Sequence, residues 1–176
     1  MASTPLVIYK KDLSDLIQHI HDHDAQYVIS EIEKDMTLLH TINKQDGWSL
    51  LRYSLNYKCK RLTEFLIANM SYDVRFRNSC NCESIIFVSV SCADPDIFKC
   101  LVNKFGNVNV VCSHNGQSPL FRAVLSRFLR DAETLLQNGA DKHIKDVHGK
   151  TVTDYANELQ DHVTRKLMLE LLDQYD

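Results

Sequence analysis

The sequence predicts an all-α fold, a solenoid of about five helix-turn-helix units with turn fingers, running over residues 1–176 as a single domain. Three observations predict it. A short string recurs at nearly constant spacing, the mark of a repeat architecture. Each recurrence is followed by a second stretch of helical periodicity. Glycine and proline, at five and three, are too scarce for a turn-rich β architecture.

The recurring string is seen four times. Its members are Gly47-Trp48-Ser49-Leu50-Leu51-Arg52-Tyr53-Ser54, Cys82-Glu83-Ser84-Ile85-Ile86-Phe87-Val88-Ser89, Gly116-Gln117-Ser118-Pro119-Leu120-Phe121-Arg122-Ala123 and Gly149-Lys150-Thr151-Val152-Thr153-Asp154-Tyr155-Ala156. Their first residues lie 35, 34 and 33 positions apart. Two positions on, each carries a hydroxyl: Ser49, Ser84, Ser118 and Thr151. That residue type caps a helix by accepting a bond from the free N–H groups of the first turn. Pro119 suits the first helical position, where its missing N–H costs nothing. Seven positions on, each has a small residue: Ser54, Ser89, Ala123 and Ala156. There it lets a neighbouring helix come close. The glycine two residues before the cap allows a sharp turn into the helix.

Second helices follow at Leu62–Ile67, Ile97–Val102 and Ala132–Leu136, with apolar residues at i, i+3 and i+4. Cys100 sits in the second of these and is expected in the core. Gly139 is expected to be the left-handed residue that ends the third. The units run over 43–77, 78–111, 112–144 and 145–176. Residues 10–42 form an atypical first unit, with apolar Leu13, Leu16, Ile17, Ile20, Val28, Ile29 and Ile32. A terminal unit of a solenoid has one face in water, so departure from the pattern is expected there.

Glycine, Ser-Pro-Leu, a small residue, Leu135-Leu136 and Gly139-Ala140-Asp141 together resemble the ankyrin repeat. The resemblance covers nearly the whole chain and is closest in 112–144 and 145–176. It implies two antiparallel helices and a protruding finger per unit, with fingers and first helices lining a concave face that binds another protein. The positions facing a partner are those flanking the turn glycine and those nine and ten residues past it. They are Asn43, Gln45, Asp46, Trp48, Asn56 and Tyr57 in the first string's unit, then Asn78, Asn81, Glu83, Ser91 and Cys92. The last two units supply His114, Asn115, Gln117, Leu125 and Ser126, then Lys145, His148, Lys150 and Glu158. Trp48 is the only tryptophan, and Tyr57 projects nearby; aromatic anchors dominate binding at interfaces. Trp48 has a packing alternative, folding back on its neighbours. Small ankyrin proteins of this size resemble inhibitors and activators of cell-cycle kinases, or mimics of transcription-factor inhibitors. A regulatory subunit or inhibitor is therefore expected.

One departure stands out. Ankyrin repeats usually carry histidine after the Pro-Leu pair, where the ring bonds backbone groups. Here the positions hold Arg52, Phe87, Phe121 and Asp154. Losing a buried hydrogen bond worth about 1 kcal/mol at each implies a solenoid less stable alone.

No catalytic site is expected, an enzyme with a cleft of Cys and His residues being the remote alternative. The sequence has no Gly-x-Ser-x-Gly, no glycine-rich phosphate loop and no His-Glu-x-x-His. His19, His21 and His23 would share a face on a strand, but successive members sit about 200° apart on a helix and cannot converge on a metal. Cys80 and Cys82 are too close for a zinc knuckle. No metal or cofactor is expected. A net charge of −3 offers no field for nucleic acid or anionic lipid. The apolar run 84–90 falls far short of the roughly 18 residues of a membrane span. The start of the chain shows no apolar signal core. These readings predict a cytoplasmic or nuclear protein with its six cysteines reduced.

Overall fold

The computed structural model describes residues 13–70, 84–90 and 94–175, and the backbone of 8–10. It forms two compact units, 1–78 and 79–176.

In the first unit, α1 (Ser14–His21) and α2 (Ala25–Lys34) pack as one hairpin, and α3 (Leu50–Asn56) and α4 (Lys60–Asn69) as the next. Helix α1 lies on α3 and α2 on α4. A 3-10 turn over Met36–His40 leads to β2 (Thr41–Asn43), which pairs in parallel with β1 (Ile8–Lys10) in the register Ile8 to Thr41. The helical pattern gave no sign of this short pair. The core is Ile20, Val28, Ile32, Ile42, Leu50, Leu51, Leu62, Leu66 and Met70, all essentially inaccessible.

The second unit holds α5 (Ile85–Ser89), α6 (Pro95–Phe105), α7 (Pro119–Leu125), α8 (Leu129–Gln137), α9 (Val152–Asn157) and α10 (His162–Gln174). The short helices α5, α7 and α9 stack in one layer, and the longer α6, α8 and α10 in the other. Phe98, Leu101, Leu120, Phe121, Val124, Leu135, Val152 and Met168 fill the space between.

The recurring residues do what their chemistry suits. Ser49, Ser84 and Thr151 accept the N–H of Arg52, Phe87 and Asp154, and Thr151 and Asp154 close a reciprocal capping box. Ser118 stands at the same backbone position, but its hydroxyl makes no cap bond. Ser54, Ser89, Ala123 and Ala156 are all fully buried, and Thr63 on α4 donates its hydroxyl hydrogen to Ser54. Gly139, at φ +81°, ends α8 as expected, with the Ala140 N–H reaching back to the Leu135 carbonyl.

Two expectations need correction. Cys100 is exposed, not in the core. The buried stripe of α6 is Ile97, Phe98, Leu101 and Val102, and position 100 points away from it at 100° per residue. Cys112 is disulfide-bonded rather than reduced, its partner outside the described residues. Cys59 and Cys100 are free.

The hairpin bends show strain that the pattern did not announce. His23, Lys58 and Arg127, each just past the first helix of a pair, have φ of +60°, +54° and +64°. Side chains other than glycine pay about 1–2 kcal/mol in this region. Glycine avoids that cost but loses more entropy on folding. Lys58→Gly and Arg127→Gly are therefore each expected to raise stability by up to about 1 kcal/mol in thermal melts.

Candidate binding surface

The fingers are short turns pinned by their first residue. In the first, the Asn43 N–H donates to the Trp48 carbonyl at 2.9 Å and the Gly47 N–H to the Asn43 carbonyl at 2.9 Å. In the third, Cys112 and Gln117 repeat this at 2.9 Å, with Gly116 on Cys112 at 2.8 Å. In the fourth, Asp146 pairs with Lys150 at 2.9 Å, and Gly149 with Asp146 at 2.9 Å. Asn43, Cys112 and Asp146 thus hold one station, which the backbone defines irrespective of residue type. The third and fourth fingers also touch: the Val147 N–H donates to the Asn115 carbonyl at 3.0 Å.

At two of these stations a tyrosine six residues past the turn glycine locks finger to helix. The Asn43 carboxamide donates to the Tyr53 hydroxyl at 2.8 Å, and Tyr53 donates to Asp46. Burial and the Asp46 carboxylate push the Tyr53 phenol above its ordinary range. In the fourth repeat, Tyr155 donates to the Asp146 carboxylate at 2.6 Å. The other Asp146 oxygen accepts the N–H groups of His148 at 2.9 Å and Lys150 at 3.0 Å. The Tyr155 hydroxyl, with those N–H groups behind it, holds the Asp146 carboxyl below the usual carboxylate range. A lowered folded value gives stability that is complete above the unfolded value of about 4 and is lost as pH falls through the folded one. In Tyr155→Phe the Asp146 titration, followed by carboxyl carbon NMR, is expected to move up towards that of a free aspartate. An unchanged midpoint would mean the hydroxyl does not hold the carboxylate.

The residues expected to face a partner divide by environment. In the first unit, Asp46 and Asn56 are exposed, while Trp48 and Tyr57 are half-buried. The Trp48 ring lies under the Arg52 guanidinium at 4.2 Å and 5.3 Å from the Tyr53 ring. Its backbone N–H donates to Asp46 at 2.9 Å, so those two sit side by side. The indole is held by its own finger and helix with part of its surface left in water. Tyr57 takes the His21 ring edge-on at 5.2 Å. Asn43 is buried, not exposed, because its carboxamide serves Tyr53 and the Gln45 N–H.

In the second unit, His114 and His148 are exposed, and Asn115 and Gln117 half-buried. Asn115 and Gln117 are brought together, the Asn115 amide donating to the Gln117 side chain at 3.0 Å. Leu125, Ser126, Lys145 and Glu158 are exposed, Lys150 less so, with the Lys150 ammonium on Glu158 at 2.5 Å. Asn78, Asn81, Glu83, Ser91 and Cys92, with Cys80 and Cys82, lie outside the described residues.

The four positions where histidine is usual each found another role. Arg52 stacks on Trp48, Asp154 completes the capping box, and Phe87 and Phe121 are buried. Phe121 meets Tyr155 edge-on at 5.8 Å. Apolar burial and caps thus stand where a histidine bond would.

His19, His21 and His23 do not converge. His19 stacks on Tyr27 at 3.8 Å and bonds Asp24 at 3.2 Å, His21 bonds Asp22 at 2.9 Å, and His23 lies beyond the helix end. Among the described residues, no group of three His, Cys, Asp or Glu is placed to hold a metal ion. None of their helices is long and apolar enough to cross a membrane.

The tyrosine locks were not foreseen, although the signal was there: tyrosine six past the glycine recurs where the finger opens with Asn or Asp. A family model of ankyrin repeats (three copies) matches residues 50–146. A search of curated proteins finds no match.

Proposed function

We propose that this chain, which belongs to the ankyrin-repeat family, holds another protein on its finger-and-inner-helix surfaces and acts as its regulatory subunit or inhibitor. Ankyrin repeats are protein–protein interaction modules, and this role asks for no catalytic group. The observation that carries the reading is the build of the fingers. Their backbones are pinned at Asn43, Cys112 and Asp146, while Asp46, His114 and His148 point into water. Side chains offered from a rigid frame lose little entropy on binding. In the first unit the half-buried Trp48 and Tyr57 supply aromatic surface, the type of anchor that gives interfaces most of their energy. Among the regulatory roles that ankyrin repeats serve, control of a cell-cycle kinase, met in the cytoplasm or nucleus, is the reading we prefer to sequestration of a transcription factor.

The test is affinity purification from native lysate with mass spectrometry. Wild type is compared with the Trp48→Ala, Tyr57→Ala double variant, after circular dichroism shows both folded. One stoichiometric partner is expected with wild type and at least tenfold less with the variant. A partner held equally by both would move the site off these residues. No partner at all would contradict the proposed role.

A further inference from the structure

Position six past the turn glycine holds Tyr53 and Tyr155 where the finger has its own acceptor. In the third repeat it holds Arg122, and the finger station that carries Asn43 or Asp146 elsewhere carries Cys112. A disulfide sulfur cannot take the place of the Asp146 carboxylate, and Asn115 stands where the first finger has the Asp46 carboxylate. Arg122 lies over the Phe87 ring, its guanidinium carbon 5.7 Å from the centroid. Its Nε is buried and has no hydrogen-bond partner among the described residues. None of the ion pairs among them engages it. A partly buried guanidinium with no anion among the described residues has lost part of its hydration and regained little. The aromatic face beneath it restrains the guanidinium without neutralising it.

We propose that Arg122 is the receptor for a carboxylate on an acidic segment of the bound protein. This rests on the reading of the chain as a protein-binding module and names the chemistry its second unit selects. An aspartate or glutamate side chain meeting the guanidinium forms paired, charge-assisted hydrogen bonds and supplies a carboxylate, which the third finger does not carry. The tyrosines at the equivalent positions are already committed to their own fingers, so the preference belongs to this repeat.

The probe is an array of random, unphosphorylated twelve-residue peptides, read with the full chain as wild type, Arg122→Gln, Arg122→Lys and Arg130→Gln. Arg130 is exposed on α8, in the other layer, so its variant removes the same charge elsewhere. Thermal melts confirm that each is folded. The peptides bound by wild type are expected to be enriched in Asp and Glu. Arg122→Gln is expected to weaken the acidic peptides at least tenfold. Arg122→Lys, with charge but no fork, should fall between, and Arg130→Gln should match wild type. Bound peptides without acidic enrichment, enrichment that survives Arg122→Gln, or an equal loss with Arg130→Gln would each overturn the assignment. So would an array on which wild type binds nothing. The wider reading stands or falls separately, on the partner capture described above.

Discussion

Phe121→Ala is expected to cost about 3–5 kcal/mol. The ring is completely buried at the centre of the third repeat and meets Tyr155 of the fourth edge-on. Truncation removes its transfer energy and leaves a cavity between short helices tied to their fingers, which limits collapse. At roughly 2–4 °C per kcal/mol for a chain of this length, the melting point should fall by about 10 °C. Phe128→Ala is the matched control. That ring is 43% exposed, so the change should stay within about 1 kcal/mol. Equal losses at the two positions would mean that Phe121 does not hold the repeat together.

The second large effect separates two glycines of nearly identical conformation. Gly116 has φ +71° and Gly149 φ +74°. Alanine at either pays the left-handed cost of about 1–2 kcal/mol. At Gly116 the new methyl would also stand 3.2 Å from the Asp146 Cα and 3.3 Å from the Val147 nitrogen, both backbone atoms that cannot swing aside. At Gly149 it would meet open space. Gly116→Ala is thus expected to cost about 2–4 kcal/mol and Gly149→Ala about 1–2 kcal/mol, read from denaturant unfolding. Gly116→Ala should also speed hydrogen exchange at the Val147 amide, which bonds across to Asn115. Equal costs would show that the two fingers are not in close contact.

The fold was legible because its repeating parts are local. A hydroxyl cap, an apolar pair and a small residue announce a first helix within eight positions, and the spacing of those strings announces the stack. Ser54, Ser89, Ala123 and Ala156 ended up buried for that reason. What escaped depended on pairing across sequence distance. The pairing of β1 with β2 joins residues more than 30 positions apart through backbone groups alone, and leaves no periodicity. The hairpin bends at Lys58 and Arg127 escaped because a charged side chain there hides the positive φ that glycine would have signalled. Cys100 was misjudged because apolar neighbours in sequence are not neighbours on a helix face. At the candidate surface, the pattern placed Asp46, His114 and His148 in solvent but could not see that Asn43 is consumed by Tyr53. A carboxamide and a phenol ten residues apart become a pair only once the finger has folded back.

The most direct test of the binding account is hydrogen–deuterium exchange, on the chain alone and on the complex with its co-purified partner. The account predicts slowed exchange in the complex over the fingers at 43–48, 112–117 and 146–150 and over helices α3, α7 and α9. Helices α4, α6, α8 and α10 should exchange as before. Protection confined to those longer helices, with the fingers unchanged, would contradict it.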